Sequence, residues 1–186
     1  YEVKSPFGTR RDEYYWLRDD TRTASDVLEY LRAEDAYRVA MTAAWKPLED
    51  QLYGEIVGRI RQDDSSVPYR DNGYWYLHRY GVGDEYPVYV RRAGSAEGPE
   101  QVLLDLRENA RGLEYYDVGS IEVSHDNHLL AFTEDIVGRR QYRLRFKSLV
   151  TGELLPDVVP NVEEGVVWAA DNRRVLQPHS ERHLRL

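Results

Sequence analysis

Apolar and polar positions alternate most clearly between Val118 and Trp168, and this stretch predicts a four-strand unit. Ile121-Glu122-Val123 is a short apolar strand, followed by Ser124-His125-Asp126-Asn127, residue types that bond their own backbone in turns. Leu129-Leu130-Ala131-Phe132-Thr133 is a second strand. Tyr142, Leu144 and Phe146 alternate with Arg143, Arg145 and Lys147, the period of a strand with two unlike faces. Thr151-Gly152 then turns the chain into Glu153-Leu154-Leu155. Four strands with three connections are the content of one β-propeller blade. The pattern restarts at Val166-Val167-Trp168 and Ala169-Ala170-Asp171-Asn172, with Asp126 and Asp171 45 positions apart. That spacing lies within the roughly 40–50 residues of a propeller repeat. The alternative is two unrelated strand-turn units.

An earlier blade is predicted upstream. Val67-Pro68-Tyr69-Arg70 faces Tyr74–Tyr80 across Asp71-Asn72-Gly73, a strong hairpin signal. Gly81–Asp84 turns the chain into Tyr86–Val90, and a loop at Ala93–Glu100 leads to Val102-Leu103-Leu104. From Arg173 the pattern is lost, and Pro178 fits poorly inside a strand.

The first third reads differently. Residues 1–22 predict a surface-wrapping segment in which Tyr14, Tyr15, Trp16 and Leu17 form an aromatic anchor. Thr23 is the expected N-cap of a helix, with Asp26 completing a capping box. Val27, Tyr30, Leu31, Tyr37, Met41 and Ala44 follow at helical spacing. Trp45-Lys46-Pro47 ends that helix, and Pro47 suits the first turn of the next. There Leu48, Leu52, Ile56 and Ile60 recur every fourth residue, while Gly54 and Gly58 leave room for a close neighbour. Arg61–Ser66 is polar and aperiodic, and reads as a hinge. The expected organisation is therefore a helical segment over 1–66 and a partial β-propeller over 67–186 with an incomplete last blade, an α+β fragment.

Composition narrows the function. The 186 residues carry a formal charge of −8, which argues against a nucleic-acid binder. The pairs Arg91-Arg92, Arg139-Arg140 and Arg173-Arg174 are then expected at solvated strand ends and loops. With no cysteine, thiolate metal sites and disulfides are excluded, which fits a cytoplasmic protein. No apolar run approaches the roughly 20 residues of a membrane helix, and no signal-peptide pattern is present.

The chemistry-bearing residues supply no site. Ser124-His125-Asp126 carries the residue names of a triad, but consecutive residues point apart, and a triad needs convergence from separate segments. His179 and His183 have the spacing of a zinc pair without a third ligand. Asp63-Asp64 fits a solvated linker better than a cation site. His78 in a strand and His128 beside a turn read as surface or packed residues. No G-x-S-x-G elbow and no phosphate-binding glycine loop occur. The residues therefore point to no catalytic site, no metal and no cofactor within the chain.

A family likeness covers almost the whole chain. Asp12–Asp20 followed by Val27–Tyr37 resembles the N-terminal region of the prolyl oligopeptidase family of serine peptidases. Ile60–Arg70, Gly73-Tyr74-Trp75-Tyr76, Glu134–Tyr142, Pro160-Asn161-Val162 and Val167–Asn172 are similar to the oligopeptidase B group. The resemblance implies an N-terminal helical segment, a seven-bladed propeller that gates access to short peptides, and a C-terminal α/β-hydrolase domain with a Ser-Asp-His triad. It also implies cleavage after Arg or Lys. Neither the triad nor the pocket for the basic side chain maps onto a residue here. Seven blades need over about 300 residues, and the stretch from Val67 holds two blades and part of a third. The expectation is an N-terminal fragment that is inactive alone. Its partners would be peptide substrates of the parent enzyme and the C-terminal hydrolase domain. The rival is a self-standing propeller-like binding or scaffold module.

Overall fold

The computed structural model describes residues 1–176 and the strand backbone of 183–185. The chain divides into two compact units, Tyr1–Ile60 and Arg61–Leu186.

The first unit opens on a hairpin rather than a patternless wrap. Strands β1 (Glu2–Ser5) and β2 (Gly8–Arg11) pair antiparallel, closed by Pro6-Phe7. Gly8 takes φ +133°, a conformation that a side chain would strain, and the Ser5 hydroxyl donates to its carbonyl at 2.9 Å. A single 3-10 turn, Tyr15–Leu17, follows. The expected aromatic anchor is used within the unit: Tyr15 stacks on Tyr1 at 3.7 Å between ring centroids, and Trp16 meets Tyr30 edge-on at 5.2 Å.

Helix α1 spans Ser25–Thr42, and a 3-10 turn at Ala43–Trp45 joins it to α2, Lys46–Arg59, with Pro47 in the first turn. The predicted Thr23 cap is not formed. Ala24 holds the N-cap position without a side-chain bond, and Asp19 does the work from further back. Its carboxylate accepts from the backbone N–H of Thr21, Thr23 and Ala24 at 3.0, 2.6 and 2.7 Å, and from the Thr21 hydroxyl at 2.6 Å. The Ala24 N–H, then the Thr21 hydroxyl, lead in holding the Asp19 carboxyl down to about 2. The longer reach of a carboxylate lets one residue organise a five-residue approach that a threonine hydroxyl could not span.

Val27 is the one buried residue of α1 among those described, and α2 buries none. Leu48, Leu52, Ile56 and Ile60 form the predicted stripe, yet each is 47% or more exposed. Gly54 and Gly58 face open space, and no close neighbour stands against them among the described residues.

The second unit is built of three antiparallel sheets. In the first, β3 (Asp64–Ser65) and β4 (Tyr69–Asp71) both pair with β5 (Tyr74–Tyr80), which pairs with β6 (Val88–Ala93) and then β7 (Glu100–Asp105). The β4–β5 turn puts Asn72 at φ +41° and Gly73 at φ +86°, the left-handed pair that a tight hairpin needs. The second half of the expected hinge over Arg61–Ser66 joins this sheet: Asp64 pairs with Tyr80 and Ser65 with Arg79. Ser66 extends the pairing, its N–H donating to the His78 carbonyl at 2.9 Å and its Oγ accepting from the His78 N–H at 3.0 Å. Polarity predicted a linker, but ladder hydrogen bonds come from backbone, not from side-chain pattern. A one-turn helix α3, Leu106–Asn109, leaves this sheet, capped by the Asp105 carboxylate.

The second sheet runs β8 (Asp117–Val123), β9 (Leu129–Asp135), β10 (Tyr142–Ser148) and β11 (Leu154–Val162), each paired with the next. β11 carries Pro156 and Pro160 and lies at the edge, where a missing N–H costs no ladder bond. The third sheet pairs β12 (Val167–Trp168) with β13 (Arg174–Leu176) and β13 with β14 (His183–Arg185). Strand pairing thus continues past Arg173, where the hydrophobic pattern stops.

The repeat inferred from Asp126 and Asp171 is a repeat of geometry. Ser124 N–H donates to Leu129 O and Asn127 N–H to Ser124 O; Ala169 N–H donates to Arg174 O and Asn172 N–H to Ala169 O, all at 2.8–3.0 Å. Asn127 and Asn172 take φ +64° and +56°, the conformation asparagine tolerates best among side-chain-bearing residues.

A prediction concerns Asp19. Its native carboxyl titrates below its ordinary value, so its contribution is present above pH ~4 and is lost as pH falls through about 2. Amide exchange at Thr23 and Ala24 should accelerate over that interval in the wild type. It should be fast and pH-independent, beyond intrinsic chemistry, in Asp19→Ala.

Candidate functional site

The side chains that the fold gathers most tightly lie in the seam between the first and second sheets. Its apolar part sets Tyr76, Leu103 and Leu104 against Leu130, Phe132 and Leu149. Polar bonds cross above it. Lys147 Nζ donates to Leu103 O at 2.8 Å, and Asn72 Nδ2 donates to His125 O at 2.7 Å. Burial presses the Lys147 ammonium below its ordinary pKa.

Arg91 overturns an expectation. Its predicted place was a solvated strand end, but it is 3% exposed. Nε donates to Gln101 Oε1 at 2.7 Å, Nη1 to Asn127 Oδ1 at 3.2 Å and Nη2 to Asn127 O at 3.1 Å. Its guanidinium carbon lies 4.0 Å from the Tyr74 ring centroid. Arg91 pairs with Tyr76 in the β5–β6 register and so lies on the face turned to the second sheet. Of the other arginines in pairs, Arg139, Arg140, Arg173 and Arg174 are exposed.

A second buried charge is Glu134, at 3% exposure. Its carboxylate accepts from Arg143 Nε at 2.8 Å, from Arg145 Nη1 at 3.3 Å and from the Tyr116 hydroxyl at 2.7 Å. Asn109 Nδ2 donates to the Tyr116 oxygen at 3.0 Å, tying α3 to the second sheet. Burial first, then the bond to Glu134, pushes the Tyr116 hydroxyl well up. The neighbouring Asp135, 1% exposed, accepts from the backbone N–H of Val137, Gly138, Arg139 and Arg140. Burial pushes its carboxyl up, but the four N–H bonds outweigh it and the net direction is down.

Beside this network lies a crevice of about 180 Å³ between β4–β5 and β8. Its walls include Tyr69, Tyr76, His78 and Tyr89, with Asp71 at the edge and Ile121 and Val123 opposite. Tyr69 stacks on Tyr76 at 5.4 Å, and His78 meets Tyr89 at 5.4 Å.

The residues weighed as chemistry from the sequence are dispersed. The Ser124 hydroxyl donates to Asp126 Oδ1 at 2.6 Å and accepts from Leu129 N–H at 2.9 Å, while His125 is an exposed residue of the turn. Ser124-His125-Asp126 is therefore a strand connection. His128 Nδ1 approaches Asp126 Oδ2 at 3.5 Å on the surface, and His78 is a wall of the crevice. Asp64 is a strand residue and Asp63 is exposed next to it. His179 lies outside the described residues, and His183 is described only as backbone of β14. Among the described residues no group of three His, Asp or Glu is placed to hold a metal ion. No described helix is long and apolar enough to cross a membrane. Sequence reasoning passed over Arg91, Glu134 and Asp135. The signal available for Arg91 was its position two residues after Tyr89, which puts it on the Tyr89 face of the strand and not on the face of Val88 and Val90.

Antiparallel sheets of five, four and three described strands after a helical segment match a known architecture. The family model for the N-terminal β-propeller domain of prolyl oligopeptidase matches residues 2–176. The chain belongs to the prolyl oligopeptidase family. It is 53% identical to dipeptidyl aminopeptidase BI of Pseudoxanthomonas mexicana, over 94% of this chain and 26% of that protein. It is 33% identical to Protease 2 of Moraxella lacunata, over 82% of this chain and 23% of that one. Among solved structures, oligopeptidase B of Leishmania major superposes with a TM-score of 0.79 at 30% identity, covering 90% of this chain and 24% of that enzyme. Oligopeptidase B of Trypanosoma brucei shares the fold at a TM-score of 0.76 and 24% identity, over 95% and 28% of the two chains. The chain thus spans about a quarter of the length of these relatives.

Two predictions follow from the buried charges. Glu134→Gln leaves the partly exposed Arg143 and Arg145 facing a neutral group, and should cost about 2 kcal/mol in urea unfolding of the chain. Asp135 stabilises the native chain above its ordinary carboxylate pKa, and that stabilisation fades as pH falls towards its lower native value. The acid limb of the stability–pH curve should therefore be shallower in Asp135→Asn than in the wild type.

Proposed function

We propose that this chain is the N-terminal, access-gating part of a cytoplasmic serine peptidase that hydrolyses short peptides, and that it has no catalysis of its own. The observation that carries the reading is the family match over residues 2–176. The exposed stripes support it. Leu31, Met41, Leu48, Leu52 and Ile56 are all about half exposed or more, a surface that a folded helix does not normally leave in water. In this reading residues 1–66 pack on a C-terminal α/β-hydrolase domain, and the sheets from Val67 onward are the first blades of a ring that admits only peptides.

For the bond cleaved, the oligopeptidase B likeness favours hydrolysis after Arg or Lys. A second reading rests on the 53% relative, whose name is dipeptidyl aminopeptidase and which favours release of dipeptides from a free amino end. The determinants of either choice would lie in the hydrolase domain.

One assay tests both. The 186-residue chain and a polypeptide extending it through a hydrolase domain are each given two chromogenic reporters. One is an amino-blocked arginyl anilide, the other a dipeptidyl anilide with a free amino group. The short chain should turn over neither, and the extended one should turn over at least one. Hydrolysis by the short chain, or inertness of the extended one to both, would overturn the proposal. Preference for the unblocked dipeptide would select the second reading.

A further inference from the structure

Strand β10 carries three cations on one face. Arg143, Arg145 and Lys147 alternate with the buried Tyr142, Leu144 and Phe146, so they share the side turned to the first sheet. The register on either side shows what stands beside them. On β9 their partners are Glu134, Phe132 and Leu130. On the edge strand β11 they are Pro160, Val158 and Leu154. Glu134 is thus the one charged residue directly across from any of the three.

That carboxylate does not serve them equally. Arg143 takes it with Nε and Nη2, both at 2.8 Å from Oε1, and the Tyr116 hydroxyl occupies Oε2. Arg145 reaches it with Nη1 alone, at 3.3 Å, and its Nε is buried without a partner. The guanidinium edge formed by Nε and Nη2, the edge that takes an oxyanion bidentately, is therefore not the one turned to Glu134. Lys147 has no carboxylate: its Nζ donates to Leu103 O at 2.8 Å and Val102 O at 3.5 Å. An ammonium has three N–H donors, so one is left over. Burial presses Lys147 down with no carboxylate opposing it. The acidic residues of β7 and α3 hold other arginines: Glu100 pairs with Arg79 and Arg92, Asp105 with Arg107, and Glu108 with Arg111. The seam thus carries a local surplus of positive charge in a chain of formal charge −8. It is open at its outer side, where the Arg145 side chain is 20% exposed and Leu154 and Val158 are about half exposed.

We propose that Arg145 and Lys147 form a binding site for a phosphate dianion, held between the Nε–Nη2 edge of the guanidinium and the ammonium. Two residues apart on one strand, the two side chains start about 7 Å from each other, a gap that one tetrahedral oxyanion bridges. A dianion matches the charge surplus, and its oxygens supply the acceptor that Arg145 Nε lacks. A tilt of the guanidinium about its Glu134 bond turns that edge to the open side. The chemistry is that of free phosphate or of a phosphate monoester. Both donors and both walls belong to this chain, so the site goes beyond the function proposed above and does not rest on it.

The test is calorimetric titration of the 186-residue chain with inorganic phosphate and with phenyl phosphate, against sodium chloride at matched ionic strength. Phosphate should bind saturably with a Kd of about 1 mM, and chloride should not. Arg145→Met and Lys147→Met should each weaken phosphate at least about tenfold, whereas Arg174→Met, on the third sheet, should not change it. Should either variant fail to unfold cooperatively, the wild type decides by acetic anhydride labelling read by peptide mass. Phosphate at about ten times its Kd should slow labelling of Lys147 about tenfold and leave that of Lys4 unchanged. Equal affinity for phenyl phosphate supports the site with an ester as its source, and binding of phosphate alone supports it with the free ion. Absence of saturation by about 10 mM, unchanged affinity in the variants, or unprotected Lys147 would overturn the proposal. Peptidase activity of the extended polypeptide without phosphate binding here would sink this inference alone, leaving the proposed function intact.

Discussion

A twisted antiparallel sheet with apolar side chains on both faces cannot stand in water, and everything in the second unit answers to that constraint. The middle sheet shows it best. Along β9, Leu130 through Asp135 are all buried, because the strand is covered on both faces. Leu130 and Phe132 turn to the first sheet, while Ala131 packs with Leu144 and Phe146 against Val166, Trp168 and Val175 of the third. Burial of such side chains is worth about 1.5–3 kcal/mol each, which makes face-to-face stacking, not strand pairing, the term that orders the sheets.

Once two faces are pressed together, a polar group caught between them is costly unless it is satisfied there, and among the described residues Arg145 Nε is a buried side-chain atom that finds no partner. Arg91, Glu134, Asp135 and Thr133 are the cost of the seams, and each is met. The Thr133 hydroxyl donates to Glu164 O, Trp168 Nε1 donates to Glu122 O at 2.9 Å, and Arg91 closes on Asn127. These bonds join one sheet to the next at fixed heights, so they set the register of the stack as well as its stability. The same demand shapes the turns: Asn72, Asn127 and Asn172 take left-handed backbone and also bond across to a neighbouring sheet. A local conformational need and a long-range contact fall on the same residue type.

The helical unit shows the opposite condition. Its stripes follow the 3.6-residue period, yet the residues in them are exposed. Helix formation here is supported locally, by Asp19 holding the approach to α1 and by Lys46 pairing with Asp50 at 2.7 Å. The apolar surface it carries is larger than its own fold uses. In the function proposed above, that surface packs on a C-terminal domain.

Alternation and turn chemistry were enough to read the strand order, the Asn-Gly hairpin, the 45-residue spacing of the two Asp-Asn turns and the two amphipathic helices, because each depends on residues close together in the chain. The same positions were enough to dismiss Ser124-His125-Asp126 as a triad. Pairing of Asp64-Ser65 with β5, the cap supplied by Asp19, the burial of Arg91 and the Glu134–Tyr116 bond were decided in three dimensions. Their partners lie up to 36 residues away, and a pattern of side chains says nothing about which distant backbone or charge will be brought opposite. The crevice between β4–β5 and β8 belongs to that second class: its rings and the Asp71 carboxylate are ordinary strand residues until two sheets stack and leave a gap between them.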